Sequence, residues 1–226
     1  MNRVRSVSSA LSTLVLFVGQ SCGQTLTTNA PTAASFQTLA VQPEADKAWS
    51  FSASVYTYIV PDDPDYAQPT ITFDRDWLHL EARYNYEDLE TGSVWVGCNF
   101  SFGNTLSLEF TPMLGGVFGD TTGIAPGCEV SLSWWKLELY SEGEYLFDTG
   151  NSSGSFFYNW SELTLAPVDW FRFGMVTQRT RVYESDRDIQ RGPLVGFSFK
   201  QFDLAVYVLN PGDHNPTVVM AVAVSF

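Results

Sequence analysis

Basic residues are scarce in this sequence. Its 226 residues hold 12 Lys plus Arg against 25 Asp plus Glu, a formal net charge of -13 at pH 7. Phosphate binding requires cations, so nucleic acid is excluded as a partner. Histidine is limited to His79 and His214, and cysteine to Cys22, Cys98 and Cys128. These few residues form no cluster at zinc-ligand spacing, and the chain has no Gly-rich phosphate cradle or calcium-loop pattern. No metal and no cofactor is therefore expected, and the acidic run Asp62, Asp63 and Asp65 reads as a solvated loop. Two further absences matter. No apolar run is long enough to cross a bilayer comfortably as a helix. Beyond Trp49, no window of helical length carries an apolar stripe of 3.6-residue period.

The N-terminus has a clear pattern of its own. Arg3 and Arg5 precede an apolar stretch from Ala10 to Val18, and Ser21 and Gly23 stand where a cut before Gln24 needs small residues. This is the layout of a secretory signal peptide over residues 1–23. A membrane anchor would need a longer apolar stretch, and lipid attachment at Cys22 would need a leucine that "VGQSC" lacks. Residues 1–23 hold two of the basic residues and none of the acidic ones, so the remainder carries about -15. Residues 24–47 are small and polar without a sustained period, which predicts a flexible arm on the periplasmic side of the barrel described next.

From residue 48 to Phe226 the pattern is one of alternation. Segments of period two recur at 49–60, 67–74, 77–88, 92–102, 105–117, 121–133, 136–148, 154–165, 169–183, 190–200, 203–210 and 216–226. This predicts an all-β chain of about twelve strands. Ten is the alternative, because the segment 67–74 is short. The connections alternate between tight turns, such as "WWK" at Trp134 to Lys136, and longer acidic or Gly-rich loops, such as "YESDRDIQ" at Tyr183 to Gln190.

The two faces of these strands differ in a way that a protein core could not absorb. In "WLHLEARYNYE" the residues Leu78, Leu80, Ala82, Tyr84 and Tyr86 share one face, and His79, Glu81, Arg83, Asn85 and Glu87 share the other. In the closing "TVVMAVAVSF", Val218, Met220, Val222, Val224 and Phe226 oppose Thr217, Ala221, Ala223 and Ser225. A transmembrane antiparallel β-barrel turns the apolar face to lipid and the carboxylates to a polar interior. Aromatics near strand ends, among them Trp49, Tyr58, Tyr84, Tyr86, Trp134, Tyr145, Trp170 and Tyr183, suit the two membrane interfaces. Cys98 and Cys128 then face outward on strands separated by another strand, so free thiols are predicted.

These features together resemble the small, porin-like outer-membrane β-barrel proteins of Gram-negative bacteria. The resemblance rests on the signal peptide, the alternation from Trp49 onward and the last strand ending in the aromatic Phe226, and it covers about four fifths of the chain. It implies an outer-membrane location with both termini periplasmic. It also implies contact with outer-membrane lipid and lipopolysaccharide, and reading of the strand ending at Phe226 by the barrel-assembly machinery. Within such a group, fold does not name an activity.

Candidate lumen-lining residues are His79, Glu81, Arg83, Glu109, Glu129, Glu138, Glu142, Glu144, Glu162, Arg172 and Gln178, together with Lys136. A net acidic interior of this kind, if open, forms a narrow pore for small neutral or cationic solutes. If its Glu and Arg side chains pair across the interior, the barrel is closed and its role is structural or surface interaction. Arg179, Arg181 and Arg191, near a loop end, are candidates for surface anion or lipid contact. Strict alternation puts Arg179 and Arg181 toward lipid unless the strand bulges there or has left the membrane.

No enzyme is expected. His79 in "HLE" has no serine at the spacing of the outer-membrane phospholipase type, and Asp213 with His214 is only a fragment of an omptin-type site. The exported, processed protein should begin at Gln24 by intact mass; retention of residues 1–23, or a lipid on Cys22, would contradict the cleavage reading.

Overall fold

The computed structural model describes residues 48–61, 63–150, 154–182 and 188–226. The predicted signal peptide, the arm 24–47, Asp62 and Tyr183 lie outside the described residues. Strand formation follows the alternation already read. The segments are β1 (Ser50–Ile59), β2 (Tyr66–Arg75), β3 (Leu78–Tyr84), β4 (Thr91–Cys98), β5 (Phe100–Phe102), β6 (Leu106–Gly119) and β7 (Gly123–Trp134). They continue as β8 (Leu137–Asp148), β9 (Phe156–Val168), β10 (Phe171–Val182), β11 (Asp188–Phe199), β12 (Phe202–Leu209) and β13 (Thr217–Ser225).

β4 and β5 are one barrel strand interrupted at Asn99. Both pair with β6 in the same register, Gly97 opposite Met113 and Phe100 opposite Phe110. The barrel therefore has twelve strands, and the alternative of ten is excluded because β2 is a full strand of 10 residues. Every strand is antiparallel to its sequence neighbour, and β1 closes the ring on β13, from Ser52 opposite Ser225 to Ile59 opposite Val218. The last residue belongs to this closure. Phe226 donates its amide to the Phe51 carbonyl at 2.8 Å and accepts from the Phe51 amide at 3.3 Å.

The two rims differ as predicted. On one, pairs of strands are joined across Asp76–Trp77, Trp135–Lys136, Asp169–Trp170 and Lys200–Gln201. Asp76, Trp135 and Lys200 adopt left-handed backbone there, with φ of 57°, 56° and 57°, as two-residue hairpins require. This turn rim also carries the start of β1 and the end of β13. The longer connections, including those over 85–90 and 210–216, lie on the opposite loop rim.

Alternation sorts the side chains. Val94, Val96, Leu114, Ile124, Leu163, Met175, Met220 and Val222 form an exposed outward belt. Their inward neighbours are buried, including Thr91, Ser93, Tyr140, Leu194, Tyr207 and Val219. Cys98 and Cys128 are unbridged, with β6 between the strands that carry them.

Two expectations are corrected. Tyr58 and Tyr86 are interior, not interfacial. Tyr58 is only 3% exposed, and Tyr86 packs edge-on against Tyr158. For Tyr86 the reason is local: β3 ends at Tyr84, and left-handed Asn85 (φ 56°) breaks the alternation so that the next residues enter the barrel. Lys136 is not in the lumen, because it occupies a tight turn and donates to the Pro167 carbonyl at the rim.

Small residues make room for the large interior ones. Trp95 lies against two inward glycines, such that a Cβ on Gly115 would come within 2.5 Å of the indole and one on Gly127 within 3.1 Å. Gly116, pointing outward, has nothing within 4 Å of its Cβ position. Gly115→Val should displace Trp95 and lower the unfolding free energy by about 1–3 kcal/mol through overpacking. Gly116→Val should change it by less than about 0.5 kcal/mol. Urea unfolding in detergent, followed by Trp fluorescence, separates the two.

Candidate functional site

Among the described residues, charge is concentrated out of water in the lumen. Its centre is Arg83 on β3. The guanidinium donates from Nε to Glu81 Oε1 at 2.8 Å and from Nη1 to Glu144 Oε2 at 3.1 Å, and its Nη2 lies 2.6 Å from Glu142 Oε1. Glu142 and Glu144 stand on β8, four strand positions around the ring with β4, β6 and β7 between, so Arg83 reaches across the interior. Its cation is also sandwiched by rings, 4.3 Å from the Tyr86 centroid and 4.6 Å from that of Trp95. A planar guanidinium with five donors can serve several carboxylates and stack at the same time. Lysine could not.

Beside Arg83, toward the turn rim, His79 is held from both sides. Its Nδ1 is 2.8 Å from Asp74 Oδ1 and its Nε2 is 3.3 Å from Glu81 Oε2. Asp74 in turn accepts from Asn99 Nδ2 at 2.8 Å. On the far wall, Glu162 accepts at one oxygen from Trp160 Nε1 at 2.8 Å and from the Tyr207 hydroxyl at 3.0 Å. Tyr56 packs against both rings. Arg172 lies flat over Gly196, where a Cβ would sit 2.6 Å from its Cζ, and pairs bidentately with Asp203 at 2.5 and 2.6 Å.

These contacts close the full cross-section at the waist. The Arg83 side chain is 0% exposed, Tyr140 and Tyr207 are each 1%, and Trp160 is 3%. Charge nevertheless remains in excess. Buried Asp74, Glu81, Glu87, Glu142, Glu144, Glu162 and Asp203 face only Arg83 and Arg172 as permanent buried cations among the described residues. Asp74 Oδ2, Glu87 Oε2 and Glu144 Oε1 are buried with no hydrogen-bond partner. Glu109, Glu129 and Glu138 are only half-buried, on inward positions nearer the turn rim. They line an acidic approach to the closed waist.

The structure thus brings together His79, Glu81, Arg83, Glu129, Glu142 and Glu144, and places Glu162 and Arg172 on the opposite wall. Glu109 and Glu138 face inward outside the central contacts. Gln178 faces inward near the loop rim, with its side-chain oxygen buried. Asp74 and Asp203 were missed by sequence reasoning, because they stand at the ends of the segments 67–74 and 203–210, beside short connections. Their inward parity with Thr72 and Ala205 was the available signal. The interior aromatics Trp95, Trp160 and Tyr207 were also missed, since the lumen was read from its ionisable residues.

Arg179 and Arg191 face outward. β10 keeps its register with β9 from Phe173 to Val182, so no bulge redirects Arg179. Its guanidinium lies 5.6 Å over the Phe157 ring. Arg191 is exposed, opposite Thr177 on the neighbouring strand. The Arg181 side chain lies outside the described residues.

No described protein family matches the chain, and no curated protein matches it. Solved structures do. The barrel is similar to one described as "KdgM porin", at TM-score 0.57 and 12% identity over 77% of this chain and 99% of that one. What the two share is a closed antiparallel β-barrel, which in this chain has twelve strands. A second similar structure is "KdgM porin in complex with disordered oligogalacturonate", at TM-score 0.52 and 10% identity over 78% of this chain and 99% of that one. At such identities the likeness is one of fold, and the residues of this lumen have to be read by themselves.

Replacing Arg172 by Met strands a buried carboxylate at Asp203, which should cost about 3–5 kcal/mol of stability. Arg191→Ala at the outer surface should cost less than about 0.5 kcal/mol. Heat-shifted gel mobility over a temperature series gives the comparison.

Proposed function

We propose that this chain is a non-enzymatic barrel of the Gram-negative outer membrane that passes small cationic or neutral solutes through an acidic lumen held shut at its waist by Arg83. In this reading the termini lie in the periplasm, lipid covers the outward belt, and β13 with Phe226 is what the barrel-assembly machinery reads. Lipopolysaccharide meets the outward Arg179 and Arg191.

The observation that carries the proposal is the unneutralised excess of buried carboxylate. An interior that served only as filling would be most stable with every buried charge paired or replaced by apolar groups. This one keeps seven buried carboxylates with two arginines, and it leaves carboxylate oxygens without partners. Such a field attracts cations and repels anions. Oligogalacturonate, bound by one of the similar porins, is a polyanion, and this lining has the wrong sign for it.

One observation favours a second reading, a closed structural or surface-interaction barrel: the side chains fill the entire cross-section at the waist. Planar-bilayer recording separates the two. Folded protein should give rare or small openings. Arg83→Ala, which removes the plug and leaves its glutamates, should give frequent openings, with reversal potentials at least about tenfold selective for K⁺ over Cl⁻. Tyr140→Ala should open the same layer without altering charge. Silence from both folded variants would leave the closed barrel, and anion selectivity would overturn the proposal.

A further inference from the structure

We propose that His79, Glu81 and Glu129 form a binding site for a divalent transition-metal cation of the zinc class inside the lumen. One ligand atom from each of the three lies within 4.8 Å of the others. Imidazole and carboxylate are a donor set that suits such ions. His79 Nε2 and Glu81 Oε2 are 3.3 Å apart, long for a charge-assisted hydrogen bond. The separation matches the roughly 3.4 Å expected between two donors sharing one tetrahedral zinc.

The surroundings are those of a metal site. Asp74 holds His79 Nδ1 and so presents Nε2 to the ligand position, the carboxylate–histidine arrangement that orients metal-bound imidazoles. Asn99 holds Asp74. Arg83 Nη2 also donates to Glu81 Oε2 at 3.0 Å, and Arg83 can yield that oxygen because it keeps Oε1 of the same residue together with Glu142 and Glu144.

Charge supplies the independent argument. Glu129 and Glu142 face inward directly opposite each other on β7 and β8, a like-charge pair that Arg83, 2.6 Å from Glu142 but shared with Glu81 and Glu144, offsets only in part. Asp74, 6% exposed and already bonded to the His79 ring through Oδ1, has its second oxygen buried and unpartnered, as has Glu144. A divalent cation would supply the missing positive charge. Glu129 is only half-buried, so the site is reachable from the acidic approach on the turn rim. The inference goes beyond the passage reading and does not require the barrel to conduct.

The test uses the full processed chain, folded in detergent and stripped with chelator. Titration with Zn²⁺ by calorimetry should show one site, and Co²⁺ should give visible d–d absorption of a low-symmetry site. His79→Gln and Glu129→Gln should each weaken zinc binding at least tenfold, and Asp74→Asn roughly 10–100-fold. Asp213→Asn, an exposed carboxylate in the 210–216 loop on the opposite rim, should leave it unchanged. If the ligand variants do not fold, zinc-edge absorption on the wild-type protein still decides: one imidazole with carboxylate oxygens supports the site. Absence of binding at millimolar zinc, a zinc shell without imidazole, or affinity unchanged in a folded His79→Gln overturns it.

Discussion

Antiparallel pairing of β1 with β13 closes the sheet on itself, and the remaining features follow from that closure. A closed ring leaves no strand with unpaired amides and carbonyls, the condition for placing a sheet in hydrocarbon. It also gives each strand one inside and one outside, with no second sheet to cover either. The pairing runs from Ser52 opposite Ser225 to Ile59 opposite Val218, and the main chain of Phe226 extends it by two bonds to Phe51. The terminal aromatic is thus part of the seam, not a frayed end.

Once inside and outside are set, the interior becomes an electrostatic problem. A lumen of this width can hold water or side chains, and here aromatic rings and one arginine take the space. Trp95 and Arg172 fit because glycines lie beneath them, Gly115 and Gly127 under the first and Gly196 under the second. Arg83 draws Glu81, Glu142 and Glu144 from two walls to one cation. A single guanidinium cannot neutralise all the carboxylates around it, so the interior stays strongly acidic while being sterically closed. In the proposed function, cation passage and occlusion would rest on the same residues.

The outward face is uneven in a related way. Over most strands it is Val, Leu, Phe and Met, but on β8 and β9 a small polar cluster interrupts it. Ser141 and Ser161 are hydrogen-bonded at 2.9 Å, and Asn159 donates to the Glu142 carbonyl at 2.7 Å. These side chains satisfy one another or the backbone, which lowers the cost of placing them on an otherwise apolar face. Arg179 and Arg191 lie next to this cluster on β10 and β11, toward the loop rim.

The amino-acid order by itself determined the all-β class, a strand count of about twelve with ten left open, the alternation of turns and loops, and the face of most strand residues, because a period of two is local. Leu80 against Glu81, or Met220 against Ala221, needs no knowledge of the fold. It also determined that the interior would be acidic. Only the tertiary structure decided which inward groups meet. Glu142 is 59 positions from Arg83, and Tyr207 is 45 from Glu162; their contacts depend on where each strand falls around the ring and how far one is staggered on the next. Glu129 likewise becomes a neighbour of His79 and Glu81 only after β3 and β7 are curved toward a common axis. Curvature and stagger are properties of the closed sheet, and no local stretch of sequence contains them.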